Sequence, residues 1–257
     1  MGRSVFGRDA ALYDRARSAY PGALYAAIAA RLPAGPRVLE IGAGTGLATR
    51  GLAGLEPSRL VLVEPDRGMA DFLATRFPAP QAEVICAPFI DAPVKGRFDL
   101  VACAAAFHWL DPDAAFARIA GLLNSGGICA LWWNSYFGHG LPDPFGEAVA
   151  AFLREEAIVL PPSYVGGRHY AFDTDHHAGA MAAAGFGAIE SRVFSAPRAF
   201  DAWSARDLYA TFSFIEVLTP VRRSRILDGI GRIVDDRFGG HATAVCATAL
   251  YTGVNAG

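Results

Sequence analysis

Lysine is almost absent: Lys95 is the only one in 257 residues, so nearly all positive charge is arginine. The basic residues are scattered and the formal net charge is -2, which excludes the massed positive face that a nucleic-acid partner requires. Cysteine is also scarce. Cys86, Cys103, Cys129 and Cys246 share no CxxC spacing and fall in apolar runs, so a disulfide or zinc framework is not expected and all four read as small buried hydrophobes. No apolar run approaches the roughly 18 residues needed to span a bilayer, and Met1 to Arg8 lack the apolar stretch of a secretory signal. Together these absences predict a cytoplasmic protein in a reducing compartment, with small or neutral partners and no membrane. A metal is not expected either. His139, His169, His176, His177 and His241 show no HxxxH or facial-triad spacing, and His176-His177, beside Asp173 and Asp175, would point apart on a helix.

With 53% hydrophobic and 19% charged residues, the chain can bury a sizeable core. Its length suits one α/β domain carrying insertions better than two full domains. The expected division is a single domain over 1–257, with a helical cap over 1–34, a lid over 134–176 and a helical insertion over 203–238.

Short apolar runs at Arg37 to Ile41, Leu60 to Glu64 and Glu83 to Cys86 alternate with helix-like stretches at Leu47 to Gly54 and Arg67 to Phe77, the pattern of βαβ units in a parallel sheet. Phe98 to Cys103 and Gly127 to Trp133 read as central strands. Between them Asp111 caps and Pro112 opens a helix with Phe116, Ile119 and Leu123 on one face, ending near Gly126. In the lid, Asp143-Pro144 starts a helix with Phe145, Val149, Phe152 and Leu153 at core spacing.

A helix near Ala178 to Ala184, capped by Thr174 or Asp175, leads to strands near Ala188 to Phe194 and Ala244 to Tyr251. Two helices separate those strands. One starts at Ser204, with Asp207 at capping-box distance, and carries Leu208, Phe212 and Ile215. The other starts at Thr219-Pro220 and buries Ile226, Ile230, Ile233 and Val234. Its Arg222-Arg223-x-Arg225 run reads as a solvated face.

The first strand runs directly into Gly42-x-Gly44-x-Gly46, a turn that lets backbone approach a ligand at the carboxyl edge of the sheet. A dinucleotide fingerprint would place its third glycine at position 47, where the chain has Leu47, so the spacing is GxGxG. Glu40 precedes the first glycine by two residues. A carboxylate there suits a ligand with a cationic amino group and would be unhelpful beside a pyrophosphate. The second strand ends in Glu64, 18 residues after Gly46, where an acid can accept both hydroxyls of a ribose.

Val38-Leu39-Glu40-Ile41-Gly42-Ala43-Gly44-Thr45-Gly46 with Val61-Leu62-Val63-Glu64-Pro65-Asp66 resembles the class I S-adenosylmethionine-dependent methyltransferases. Phe6 to Ala10, Tyr13 to Arg17, Tyr20-Pro21 and the Phe98 to Pro112 segment resemble their small-molecule branch, type 11-like and trans-aconitate-methyltransferase-like. The resemblance implies a Rossmann-like α/β fold: a seven-stranded mixed sheet, last strand antiparallel, with helices on both faces and a helical lid insertion. It also implies S-adenosyl-L-methionine as cofactor and S-adenosyl-L-homocysteine as product.

On that resemblance Glu40, Gly42, Ala43, Gly44 and Gly46 hold the methionine end, Glu64 the ribose and Ala87-Pro88-Phe89 the adenine. Pro65, Met69 and Ala105 complete the cofactor set, and Tyr13 and Arg17 close over it, Arg17 reaching the carboxylate. Where the family often has a polar residue before the adenine segment, this chain has apolar Cys86-Ala87.

Methyl transfer from a sulfonium needs aligned partners and little else. If the acceptor is a hydroxyl, a base at the carboxyl edge helps, and His108 stands there as the catalytic candidate. Phe107, His108, Trp133, Tyr136, Tyr209 and Phe212 are the candidate acceptor pocket, with Trp132, Phe137, Tyr164 and Tyr170 as further aromatics in reach. The expected activity is methyl transfer to an O, N or C atom of a small metabolite. The alternatives are a protein of this fold that uses the cofactor without methylating, such as a cyclase or decarboxylase, an NAD(P)-dependent oxidoreductase, and a non-catalytic binding module.

Overall fold

A computed structural model describes residues 9–137, 140–161 and 167–257. Phe6 to Arg8, His139 and Tyr164, all named above, lie outside the described residues. The chain divides into two compact units. One comprises Ala19–Asn134, Asp173–Phe194 and Thr248–Gly257; the other comprises Met1–Ser18, Ser135–Phe172 and Ser195–Ala247.

The seven strands are β1 (Arg37–Ile41), β2 (Arg59–Val63), β3 (Glu83–Ile85), β4 (Phe98–Ala104), β5 (Leu123–Ser135), β6 (Phe186–Phe200) and β7 (Ala242–Asn255). They form one sheet in the order β3-β2-β1-β4-β5-β7-β6, mixed because the last strands run antiparallel. β1 pairs in parallel with both β2 and β4, which aligns Ile41 with Val63 and Cys103 and brings three strand ends to one edge. Every residue of β1 and β2 except the leading arginine is buried, as expected for parallel strands covered on both faces.

In the first unit, α2 (Gly22–Ala29) and α3 (Thr49–Ala53) cover one face of the sheet. Leu24, Ile28 and Leu52 pack there with Val38, Leu60, Leu62, Leu100, Ile128 and Trp132. The approach is close because Gly51 has no side chain. A Cβ at that position would sit 2.1 Å from the Tyr25 ring, whose hydroxyl donates to the Ala48 carbonyl at 3.1 Å. α4 (Arg67–Arg76) is capped by Asp66, and α5 (Pro112–Leu122) by Asp111 with proline at its first turn. α5 stops at Leu122, short of Gly126, because Leu123 already pairs with Phe98 on β4.

α7 (Thr174–Ala183) is capped by Asp173, whose carboxylate accepts from the His176 amide, and not by Thr174 or Asp175. Cys103, Cys129 and Cys246 are buried as expected, but Cys86 is exposed because it sits one residue past the short β3.

In the second unit, α1 (Ala10–Ala16), α6 (Pro144–Glu155), α8 (Ala202–Ala210), α9 (Ser213–Glu216) and α10 (Pro220–Phe238) surround their own core. Phe145, Val149, Leu153, Leu208, Ile215, Ile226, Ile230 and Val234 lie in it, with Phe152 partly buried against it. Gly229 lets the Phe152 ring close on α10, since a Cβ there would be 2.2 Å from Cζ.

The capping box of α8 is Asp201 with Ser204, three residues ahead of the Ser204 start read from sequence. Phe212 is outside α8 and stands at the N-cap position of α9, with no side-chain cap bond. The α10 arginines are engaged and not merely solvated. Arg222 donates to the Glu156 carbonyl that ends α6, Arg223 to the Ala210 carbonyl that ends α8, and Arg225 pairs with the Glu156 carboxylate. Among the described residues no helix is long and apolar enough to cross a membrane.

Candidate functional site

The glycine turn hangs from the end of the neighbouring strand. The amides of Gly42 and Ala43 both donate to the Val63 carbonyl, at 2.8 and 3.2 Å, and the Gly46 amide donates to the Ala43 carbonyl at 2.9 Å. Gly42, Gly44 and Gly46 all have positive φ (66°, 57° and 90°), a region side chains resist. The contacts explain two of the glycines. A Cβ at Gly42 would lie 2.4 Å from the Ala106 Cβ, and one at Gly46 would lie 2.5 Å from the Phe77 ring. Gly44 has nothing closer than the Met69 sulfur at 3.8 Å, so its missing side chain leaves the backbone open on that side.

Glu40 is fully buried. Its Oε2 accepts from the Thr49 hydroxyl at 2.6 Å, while its Oε1 is buried with no hydrogen-bond partner. Burial pushes the carboxyl up to about 8; the Thr49 hydroxyl pulls it back and the Glu64 charge adds to the rise. A buried carboxyl with one oxygen unpartnered is costly, most of all once ionised, and it fits a site that receives a cationic group.

Glu64, 5% exposed, is held by two backbone donors: the Gly44 amide to Oε2 at 2.8 Å and the Asp66 amide to Oε1 at 2.9 Å. Burial raises its carboxyl too, against the pull of those two amides. Each oxygen keeps a second lone pair, so the geometry leaves acceptors for a pair of hydroxyls. Thr49 and Asp66 were not anticipated from sequence. Thr49 lies nine residues beyond Glu40, and only the fold of the turn shows that the two meet.

The other sequence-predicted cofactor residues of this unit are placed unevenly. Met69 is buried under Gly44, Pro65 is exposed, and Ala105 has positive φ (53°) with its amide on the Trp132 carbonyl at 2.8 Å. Ala87 and Pro88 are open to solvent at least in part. The Phe89 ring is buried and lies under the Arg118 guanidinium at 5.3 Å, so backbone, and not that ring, is what this segment offers a ligand.

His108 lies in a 3-10 turn, Phe107–Trp109, just beyond β4. Phe107 turns inward onto Phe116 (4.7 Å between ring centroids). His108 accepts at Nδ1 from the Trp133 indole N–H (3.2 Å), and Trp133 is 2% exposed and stacked on His177. Although the outer edge of His108 is exposed, desolvation by the surrounding protein pushes it down to about 4. Trp132 is a core residue between Tyr20 and Tyr25, and Tyr170 is 41% exposed against His169.

The second unit brings Tyr136, Tyr209 and Phe212 together with Phe137, ring to ring at 5.4–6.3 Å. Arg17 lies over Phe212 (4.4 Å) and Tyr13 (5.3 Å), donates to the Thr211 carbonyl at 2.9 Å, and leaves its Nε buried without a partner. Sequence reasoning missed Arg198, on β6. It donates to the Ser18 hydroxyl (2.8 Å), the Ala16 carbonyl (2.6 Å) and the Tyr136 hydroxyl (3.3 Å), so it fixes the exit of α1 to the aromatic group.

A parallel sheet whose first strand ends in a buried acid, feeds a GxGxG turn and is tied to an acid on the next strand defines a nucleoside-cofactor-binding α/β domain. Comparison with known proteins agrees. Residues 39–131 match the family model described as a methyltransferase domain. An uncharacterized methyltransferase of Mycobacterium tuberculosis is 37% identical over 134 residues, 51% of this chain and 52% of the relative. The chain thus spans about half the length of that relative. An uncharacterized methyltransferase-like protein of Schizosaccharomyces pombe is 28% identical over 90% of this chain and 87% of its own length. Among solved structures, a protein of Anaeromyxobacter dehalogenans assigned to the type II methyltransferases shares the fold, with a TM-score of 0.68 over 93% of this chain and 98% of that one, at 21% identity. Over residues 39–131 the chain is thus similar to the methyltransferase domain family, and its fold is that of a solved methyltransferase.

Proposed function

We propose that this protein transfers the methyl group of S-adenosylmethionine to an O, N or C atom of a small cytoplasmic metabolite, with neither nucleic acid nor membrane as partner. The observation that carries the proposal is the buried, unpartnered Oε1 of Glu40 beside the glycine turn. When bound, S-adenosylmethionine would supply a methyl group on a sulfonium, activated for displacement by an acceptor's lone pair.

The chain's own part is binding, orientation and exclusion of water. Glu40 accepts from the cofactor's ammonium group, and the open backbone at Gly44, flanked by Gly42, Ala43 and Gly46, admits its amino-acid end. Glu64 accepts the ribose hydroxyls, and the backbone of Ala87-Pro88 meets the adenine, with Pro65, Met69 and Ala105 alongside. On the resemblance alone, Tyr13 and Arg17 act on the cofactor, and 1–34, 134–176 and 203–238 are cap, lid and insertion of one domain. His108 and Trp133, and separately Tyr136, Tyr209 and Phe212, are proposed to serve the acceptor.

Thermal unfolding with S-adenosylhomocysteine, NAD and NADP tests the cofactor. At 100 times its dissociation constant, S-adenosylhomocysteine is expected to stabilise the protein by about 2.7 kcal/mol, with no response to either nicotinamide nucleotide. Stabilisation by NAD or NADP and none by S-adenosylhomocysteine overturns the proposal. Methyl label from the cofactor is then expected in a product when pooled metabolites are supplied. Tight binding with no label transferred would favour the non-methylating alternative.

A further inference from the structure

β6 is the last strand of the sheet, so the backbone groups along its outer edge have no strand partner among the described residues. Its stretch up to Phe194 belongs to the first unit, and there Glu190, Ser191, Arg192 and Val193 are all exposed. An open edge invites another strand, and natural edges are usually spoiled for pairing. Here two such devices stand on either side: Ala188 takes a left-handed φ of 44°, and Pro197 has no amide proton. The five residues from Ile189 to Val193 lie between them and carry neither.

Successive residues of a strand face opposite ways. Glu190 and Arg192 share one face, as their 3.0 Å ion pair requires, and Ile189, Ser191 and Val193 share the other, with Val193 64% exposed. The order apolar, acid, serine, base, apolar is its own complement when reversed. If a second copy is laid antiparallel with Ser191 opposite Ser191, Glu190 of each copy meets Arg192 of the other, and Ile189 of each meets Val193. Centring the pair on Glu190 or on Arg192 instead sets like charges opposite each other, which is unfavourable. One register is therefore selected.

We infer that Ile189 to Val193 is a self-complementary docking edge, through which two copies of this chain join antiparallel about Ser191 and continue one sheet into the other. At the free edge Arg192 folds onto its own Glu190, which Arg31 also approaches at 3.5 Å. Exchanging one exposed ion pair for another changes the energy little, so the charges set register and orientation. Strand hydrogen bonds and the two Ile189–Val193 contacts hold the copies together. Five residues a side make a small isologous interface, so a dissociation constant on the order of 10–100 µM is expected, with the pair in exchange with single chains.

Sedimentation velocity of the full chain over about 1–500 µM brackets that range and tests the inference. The average mass should climb from that of one chain towards that of two. A mass fixed at one chain throughout would leave the edge to some other partner and overturn the inference, and so would growth beyond two.

Charge variants test the register. Arg192→Glu sets carboxylate against carboxylate across the pair, and Glu190→Arg sets guanidinium against guanidinium; each alone should associate at least about tenfold more weakly than the natural chain. Mixed in equal amounts, the two variants restore both opposite-charge pairs, and the mixture should dimerise as the natural chain does. The double variant Glu190→Arg/Arg192→Glu reverses the charges but keeps the complement, so it too should dimerise. Undiminished association of either single variant, or no recovery in both the mixture and the double variant, shows that the copies meet elsewhere or in another register, and the inference falls.

Discussion

Gly42→Ala is expected to cost both stability and cofactor binding. The backbone at position 42 has φ 66°, and a Cβ there would sit 2.4 Å from the Ala106 Cβ. The left-handed conformation costs an alanine about 1 kcal/mol, and a forced contact in a packed site costs about 1–3 kcal/mol more. The sum, about 2–4 kcal/mol, corresponds to a Tm lowered by roughly 4–16 °C at about 2–4 °C per kcal/mol. Relief of the clash has to move either Ala106, at the exit of β4, or the turn itself. The amides of Gly42 and Ala43 on the Val63 carbonyl move with the turn. Affinity for S-adenosylhomocysteine, measured by titration calorimetry, should fall at least about 100-fold, a loss of about 2.7 kcal/mol.

Gly44→Ala separates the two effects. Its backbone strain is similar, at φ 57°, but its Cβ meets nothing nearer than 3.8 Å. It should keep most of the stability while placing a methyl group where the ligand approaches. If Gly42→Ala matched the natural protein in both Tm and affinity, the close approach assigned to this turn would be wrong.

The parts of the molecule legible in the sequence are those where one physical requirement acts alone. β1, β2 and β4 are covered on both faces, so their runs of Val, Leu and Ile appear as unbroken apolar segments and their ends are found to within a residue. β6 extends beyond the Ala188 to Phe194 run to Phe200, through Pro197. It lies at the edge of the sheet with mostly exposed residues, and its sequence therefore shows neither a run nor an alternation. The start of β5 is hidden differently, since Asn124-Ser125-Gly126-Gly127 reads as a turn. In fact Leu123 pairs with Phe98 across an irregular register before the regular ladder resumes at Ile128. Helix starts were blurred wherever several capping residues stood close together, as at Asp173-Thr174-Asp175 and at Asp201 and Ser204.

At the candidate site, Glu40, the three glycines and Glu64 are visible because strand ends and turns impose fixed spacing. Thr49 on Glu40, Trp133 on His108 and Arg198 on Ser18 are not, because each joins residues through a side-chain direction that no periodicity encodes. Spacing thus located the groups a ligand would meet, while the groups that set their protonation and orientation came from the fold.

Glu40 shows what that second set of groups controls, and it makes cofactor affinity depend on pH. Burial is the main cause of its rise to about 8, opposed by Thr49 and aided by Glu64. The free protein at pH 7 therefore holds Glu40 largely protonated, whereas a bound ammonium group requires the carboxylate. Binding must release that proton, so affinity for S-adenosylhomocysteine should fall by about tenfold per pH unit below pH 8, and it should fall again at higher pH as the ligand's own α-ammonium loses its proton. Calorimetry in two buffers of different ionisation enthalpy should show the released proton directly.

Stability of the free protein carries the same sign. The folded value lies above the unfolded one, so the contribution of Glu40 is fully present below the ordinary carboxyl range and is lost as pH rises towards about 8. Glu40→Gln keeps the shape but cannot ionise. Its affinity should lack the fall below pH 8, and be weaker than the natural protein's by about 100-fold at pH 8 and by less at pH 6, in line with a lost charge-assisted bond in a buried site. Its unliganded Tm should exceed the natural protein's by more at pH 9 than at pH 5. Affinity of the natural protein that stays constant from pH 6 to pH 9 would show that Glu40 does not receive a cation, and the charge logic of the glycine turn would have to be assigned elsewhere.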